Sequence, residues 1–273
     1  MRAAATATIV VLGLLPSPAA AQRPADAPTG VSIPGVSWVS IDAPGGGQMH
    51  AAVARPAGPG PFPAVILLHG SHGFAVEYVE LAKALAGGGF IAVAPCWFTG
   101  GTGGGSRFVT PIPCPDAPPM LDPGSPAAAG RVDALVRAVR TLSDVRGDRL
   151  GLVGHSRGGG AVLAYLFGGG RAQAAVLNSP GYPPERAAEA RRGRITTPLL
   201  MLHGVLDSPD EGGSAMTAIA RARAFEQAMR AAGRAVEVHY YESGTHDALF
   251  RDPAQREDEL SRMLAFLAAI LQG

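Results

Sequence analysis

The chain has 273 residues, enough for one large hydrophobic core, and no internal repeat or composition shift calls for a second folded domain. Its 23 basic side chains stand against 22 acidic ones, so no cationic surface excess points to a nucleic-acid partner.

Residues 1–21 carry the pattern of a secretory signal. Arg2 supplies the positive end, residues 9–15 the apolar centre, and Ala19-Ala20-Ala21 an A-x-A cleavage site before Gln22. That apolar stretch is short for a bilayer span and no other segment looks long enough to span, so an exported protein, periplasmic or secreted, with no stable membrane span after signal removal is expected. In an oxidising compartment Cys96 and Cys114, separated by a loop, are expected to form a disulfide. No metal is expected at them, because two sulfurs are half a zinc site and no histidine stands at ligand spacing from either.

Residues 22–35, rich in Pro, Ala and Gly, read as a flexible arm ahead of a domain spanning 36–273. Alternating patterns over 36–41 and 49–54, joined through Pro44-Gly45-Gly46-Gly47, predict an antiparallel strand pair. From Pro63 onward short continuous apolar runs alternate with helical stretches, the signature of a buried parallel sheet with crossover helices. Strands are predicted over 64–68, 90–94, 150–153, 174–177, 199–202 and 236–240, with helices over 77–86, 127–142, 157–167, 215–232 and 253–271. The last starts at Asp252-Pro253, a cap followed by a first-turn proline, and repeats Leu260, Leu264, Leu267 and Leu271 along one face. The whole predicts an α/β, doubly wound, mostly parallel sheet with an antiparallel N-terminal strand pair, whose ligands bind beyond the carboxyl ends of the strands. The glycine-rich stretch 100–105 lacks the lysine and helix that a phosphate-binding loop needs and reads as a flexible loop.

The predicted strand 150–153 runs into Gly154-His155-Ser156-Arg157-Gly158 and a helix follows at once, which is a G-x-S-x-G nucleophile elbow. The tight turn lifts the Ser156 hydroxyl above the sheet and aims the Arg157 amide at the place where an acyl oxygen becomes negative. A serine hydroxyl needs a base, and the base a carboxylate to fix its tautomer. Chain order Ser, acid, His makes Asp207, after the strand 199–202, the expected acid and His246, in Gly244-Thr245-His246-Asp247, the expected base. Asp210 and Glu211 compete for the acid role in sequence but lie farther from the strand end. His69-Gly70-Ser71-His72-Gly73 ends the strand 64–68, where a second oxyanion donor is expected: the amide of Ser71, with His72 lining the pocket. His50, His203 and His239 read as packed or surface residues, and His155 as the elbow's variable position.

The His69-Gly70 turn, the elbow at 154–158, Asp207 and the 244–247 segment together resemble α/β-hydrolases of the dienelactone-hydrolase type over residues 36–272. Dienelactone hydrolases proper carry a cysteine nucleophile where this chain has Ser156, so the resemblance implies the serine carboxylesterase relatives of the same fold, acting on a small-molecule ester with no metal or organic cofactor. Two alternatives are a peptidase of the prolyl-oligopeptidase kind, although too few residues precede the first strands for a propeller, and a non-catalytic binding protein of the same fold. The long segment 97–125 leaves a strand's carboxyl end. With a Cys96–Cys114 bridge it is expected to wall the acyl pocket, Trp97 and Phe98 limiting what enters.

Overall fold

The structure is a computed structural model that describes residues 22–100 and 108–273. The signal reading of residues 1–21 and most of the glycine-rich loop lie outside the described residues.

Nine strands form one sheet in the order β1-β2-β3-β5-β4-β6-β7-β8-β9. They are β1 Gln22–Ala25, β2 Val36–Asp42, β3 Gln48–Ala54, β4 Phe62–Leu68, β5 Ile91–Pro95, β6 Val145–His155, β7 Ala174–Asn178, β8 Leu199–Gly204 and β9 Val236–Tyr241. The pairs β1–β2, β2–β3 and β3–β5 are antiparallel; every neighbouring pair from β5 across to β9 is parallel. Crossovers are made by α1 Val76–Gly87, α2 Pro126–Val139, α3 Arg157–Phe167, α4 Pro184–Arg191 and α5 Ile219–Ala231, and the chain closes through α6 Ala248–Arg251 and α7 Pro253–Leu271.

The continuous apolar strands are covered on both faces, as a parallel sheet requires. Along β4, Ala64, Ile66 and Leu68 belong to the core shared with α2, α3, α4 and α5, whereas Val65 and Leu67 belong to the core shared with α1, α6 and α7. Helix α7 starts where its sequence says it should, with Asp252 Oδ1 accepting from the amides of Ala254 at 3.0 Å and Gln255 at 3.2 Å. Ser125 caps α2 in the same way, accepting from Ala128 N at 3.2 Å ahead of Pro126.

Two stretches differ from expectation. Gln22–Ala25 is not part of a flexible arm but an edge strand paired with β2, while Val31 and Ile33 pack against the core. Backbone pairing holds β1, so no apolar alternation is needed, and Pro24 is tolerated because the strand lies on the sheet edge. Helix α4 was also not expected: Pro-Glu-Arg-Ala-Ala-Glu-Ala-Arg has almost no apolar periodicity, and only Arg186 and Ala190 are buried.

Connectivity reverses at β4. The chain passes from β4 through α1 to β5 on one side, then through α2 back to β6 on the other. A crevice opens beyond the carboxyl ends at such a reversal, and there the turn after β4 meets the elbow after β6, with Leu68 and Gly154 in register.

Candidate active site

The elbow glycines are there because nothing larger fits. A Cβ on Gly154 would come within 2.5 Å of the Gly158 carbonyl carbon, and one on Gly158 within 2.2 Å of the Leu68 carbonyl oxygen. Ser156 itself has φ +50°, a left-handed value that a non-glycine residue adopts only under constraint. Its amide donates to the Asn178 carbonyl at 2.8 Å, which ties the strained residue to the end of β7.

The Ser156 hydroxyl lies 2.9 Å from Nε2 of His246, and Nδ1 of His246 lies 2.8 Å from Oδ2 of Asp207. Asp207 follows β8 and His246 follows β9, neighbouring parallel strands, so the two loops leave the sheet side by side. Close approach is again made possible by glycine: a Cβ on Gly204 would lie 2.2 Å from the Gly244 carbonyl oxygen. All three residues are buried, Asp207 to 3 % exposure. Asp210, the competing carboxylate, lies on an exposed turn of 3-10 helix.

Burial works against charge on His246, but the hydrogen bond and charge of Asp207, helped by Asp247, outweigh it and raise the pKa above the ordinary 6.5. Oδ1 of Asp207 accepts the Thr217 hydroxyl at 2.6 Å, and the Thr217 carbonyl accepts from His203 Nε2 at 2.6 Å. Sequence reasoning missed Thr217, which lies 10 residues after Asp207 in a stretch without a motif.

Ser156, His246, Ser71 and Arg157 line one cavity of about 520 Å³. Among the described residues the amides of Ser71 and Arg157 have no hydrogen-bond partner; that of Arg157 is the first of α3, whose opening turn leaves its N–H groups unpaired. The Arg157 side chain braces the rim, donating from Nε to Ser71 Oγ at 3.2 Å and from Nη1 to the Leu121 carbonyl at 2.8 Å.

The other three residues assigned to the pocket are placed differently. Trp97 and Phe98 are completely buried in the core rather than walling the cavity, because two large apolar side chains leaving a buried strand fold back under the sheet edge. Trp97 Nε1 donates to the His69 carbonyl at 3.1 Å and so supports the turn after β4 from beneath. His72 lies behind that turn with Nε2 at 2.8 Å from the Tyr78 hydroxyl and is not among the described residues lining the cavity. The segment 97–125 does contribute a wall through its far end, Asp122, Pro123 and Gly124, joined to α4 by Arg186 Nη2 donating to the Gly124 carbonyl at 3.3 Å. Cys96 and Cys114 are joined in a disulfide, with Cα atoms 6.4 Å apart.

Among the described residues one group could offer three metal-ligating atoms, His155, His246 and Asp247, which come within 4.8 Å of one another. Both ring nitrogens of His246 are already directed at Asp207 and Ser156, so a metal there would dismantle the hydrogen-bonded line. The arrangement that remains is a hydroxyl, an imidazole and a carboxylate in series beside two amides without a partner among the described residues. It can move a proton away from the hydroxyl and hold negative charge nearby.

Residues 49–271 match the model of the dienelactone hydrolase family. Among solved structures, a dienelactone hydrolase-like promiscuous phosphotriesterase from metagenomic libraries is 20 % identical with a TM-score of 0.66, over 86 % of this chain and 98 % of that one. An esterase of Pyrococcus furiosus is 16 % identical at TM-score 0.64, over 86 % and 93 % of the two chains. Esterase 2 of Thermogutta terrifontis, phosphorylated by paraoxon, is 16 % identical at TM-score 0.65, over 88 % and 95 %. These likenesses share the α/β-hydrolase fold, and no curated protein matches the chain. With four-fifths of its length inside the family model, the chain belongs to the dienelactone hydrolase family.

Proposed function

We propose that the protein is a serine hydrolase that cleaves carboxylic esters of small molecules through an acyl-enzyme on Ser156. The observation that carries this reading is the unbroken line Ser156 Oγ, His246 Nε2, His246 Nδ1, Asp207 Oδ2 at 2.9 and 2.8 Å, opening on a cavity with two amides that have no partner among the described residues.

As Ser156 Oγ bonds to the ester carbonyl carbon, its proton passes to Nε2 of His246, and the carbonyl electron pair moves onto oxygen. The amides of Ser71 and Arg157 receive that oxyanion, and Asp207 steadies the imidazolium that forms. Collapse of the tetrahedral species expels the alkoxide, which takes the proton from His246 and leaves as the alcohol. Water then gives its proton to His246 and attacks the acyl-enzyme; breakdown of the second tetrahedral species releases the acid and returns the proton to Ser156.

The Cys96–Cys114 disulfide supports export to an oxidising compartment, periplasmic or extracellular. No described helix is long and apolar enough to cross a membrane.

A panel of activated esters of increasing acyl length, read against Ser156→Ala and His246→Ala, tests the reading. Each substitution is expected to remove esterase activity to background while the protein stays folded, because the pair acts as a unit. A fluorophosphonate, or paraoxon as in the Thermogutta esterase, is expected to add its phosphoryl mass to Ser156. Ester turnover by Ser156→Ala near the unsubstituted rate would overturn the assignment.

A further inference from the structure

Behind the cavity, Tyr78 of α1 is fully buried and its hydroxyl meets three partners. It accepts from Gly70 N at 2.8 Å, lies 2.8 Å from His72 Nε2 and 2.9 Å from His155 Nδ1. A phenol has one proton to give and room to accept two, so these three bonds saturate it. Their directions follow from His155. Its Nε2 faces the His246 carbonyl at 3.5 Å and an Asp247 carboxylate oxygen at 3.7 Å, both acceptors, so Nε2 carries the proton. Burial, the first of several effects, keeps the ring neutral, which leaves Nδ1 bare. Tyr78 therefore donates to His155 and accepts from Gly70 and His72.

The backbone of the turn 69–71 is held at further points. The His69 carbonyl accepts from Trp97 Nε1 at 3.1 Å; the Gly70 carbonyl accepts from Gly73 N at 3.1 Å and from His69 Nδ1 at 3.0 Å. Among the described residues Ser71 N is a backbone donor without a partner, and Ser71 lines the cavity with Ser156. The turn sits directly on the elbow: a Cβ on Gly70 would lie 2.9 Å from His155 Nδ1 and 3.2 Å from Ser156 Cβ.

We infer that Tyr78 is a positioning residue for the oxyanion site, its hydroxyl bonding Gly70 on one loop and His155 on the other so that the Ser71 amide is held at a fixed place relative to Ser156. The inference rests on the acyl-transfer reading above. Tyr78 touches neither nitrogen of His246, so its effect falls on transition-state charge and not on the base.

The test is Tyr78→Phe, which keeps the ring and removes only the hydroxyl. The expected result is a kcat lower by about 10- to 100-fold with KM within about threefold, since misplacing one oxyanion donor costs this much. Inhibition by a trifluoromethyl ketone, which Ser156 attacks to form an oxyanion, should weaken by a similar factor, and the acid limb of the pH–rate profile should stay in place. A kcat within twofold of the unsubstituted enzyme, a shifted acid limb, or a rise in KM that accounts for the whole loss would each overturn the proposal. Should Tyr78→Phe fail to fold, His155→Asn and His155→Leu decide. Asn keeps an acceptor near the Nδ1 position and should retain at least about tenfold more kcat than Leu; equal losses would overturn it. Labelling of the unsubstituted protein by a fluorophosphonate separates the two levels, because absence of label on Ser156 sinks the acyl-transfer reading itself, whereas label with an indifferent Tyr78→Phe sinks only the role of Tyr78.

Discussion

Thr217 donates its hydroxyl to one carboxylate oxygen of Asp207 over 2.6 Å while the other oxygen faces His246 Nδ1 at 2.8 Å, so the acid is held from both sides. Gly213 is what lets the loop fold over it: a Cβ there would lie 2.0 Å from Asp207 Oδ1. Thr217→Val keeps the shape and removes the donor, leaving a buried carboxylate oxygen unpaired. We expect kcat to fall by about three- to tenfold and stability by about 1–3 kcal/mol, read from ester kinetics and chemical denaturation. Unchanged kinetics would mean that the Thr217 hydroxyl does not orient the acid.

On the proposed mechanism, the pH dependence of ester hydrolysis follows from the same residues. A general base works only when neutral, and the His246 pKa lies above 6.5 because Asp207 and Asp247 outweigh the burial that opposes charge. Activity is therefore expected in full above that raised value and lost as pH falls through it. Asp207→Asn removes the main raising causes and leaves burial, so the acid limb should move to lower pH while the plateau drops by up to about 10⁴-fold. A limb that stays in place would show that another group titrates.

Trp97 is a support and not a gate. Trp97→Ala removes a fully buried indole and its bond to the His69 carbonyl, at a cost of about 3–5 kcal/mol in stability. The acyl-length profile of what remains folded should keep its shape. A profile that widens toward longer acyl chains would restore Trp97 to the pocket wall.

Much of this arrangement was legible in the sequence because strong local rules coincide there. The buried parallel strands announce themselves as continuous apolar runs, and Gly154, Ser156 and Gly158 are fixed by sterics that only a strand-to-helix elbow imposes. Asp207 and His246 follow from chain order, since each lies a few residues beyond a strand end. What was not legible depends on tertiary partners. Strand β1 exists through pairing with β2, and α4 through packing against α5 and the cavity rim. An aromatic pair after β5 can turn outward or inward, and only the His69 carbonyl above it explains why Trp97 turns inward. Tyr78 and Thr217 reach the site through side-chain hydroxyls on elements whose sequence carries no motif.

Cys96 is fully buried and Cys114 half-buried, and the bridge closes a separation of 18 residues. Closing a loop of that size contributes about 3 kcal/mol, so a reductant should lower the melting temperature by about 5–10 °C. Intact mass after alkylation without reductant checks the bond first: oxidised protein should take up no label. Two alkylated thiols before reduction, in protein prepared from an oxidising compartment, would remove the bridge.

Glu259 of α7 lies 2 % exposed beneath β7, accepting from Asn178 Nδ2 at 2.6 Å and from Gln255 Nε2 at 2.7 Å. Burial pushes its pKa from 4.5 up to about 7, against the two hydrogen bonds that favour the charged form. Between those two values the folded chain holds a proton that the unfolded chain has released. Stability from this group is therefore complete below pH 4.5, declines as pH rises through the window, and is level above about 7. The decline amounts to about 3 kcal/mol. Glu259→Gln removes the titration and can keep both contacts if the Gln255 amide turns to accept. Urea unfolding of the two proteins at pH 5 and pH 8 should show the stability difference between the pH values shrinking in the variant, by an amount on the order of that 3 kcal/mol. An equal pH dependence in both would mean that Glu259 is charged throughout and that its two hydrogen bonds outweigh its burial.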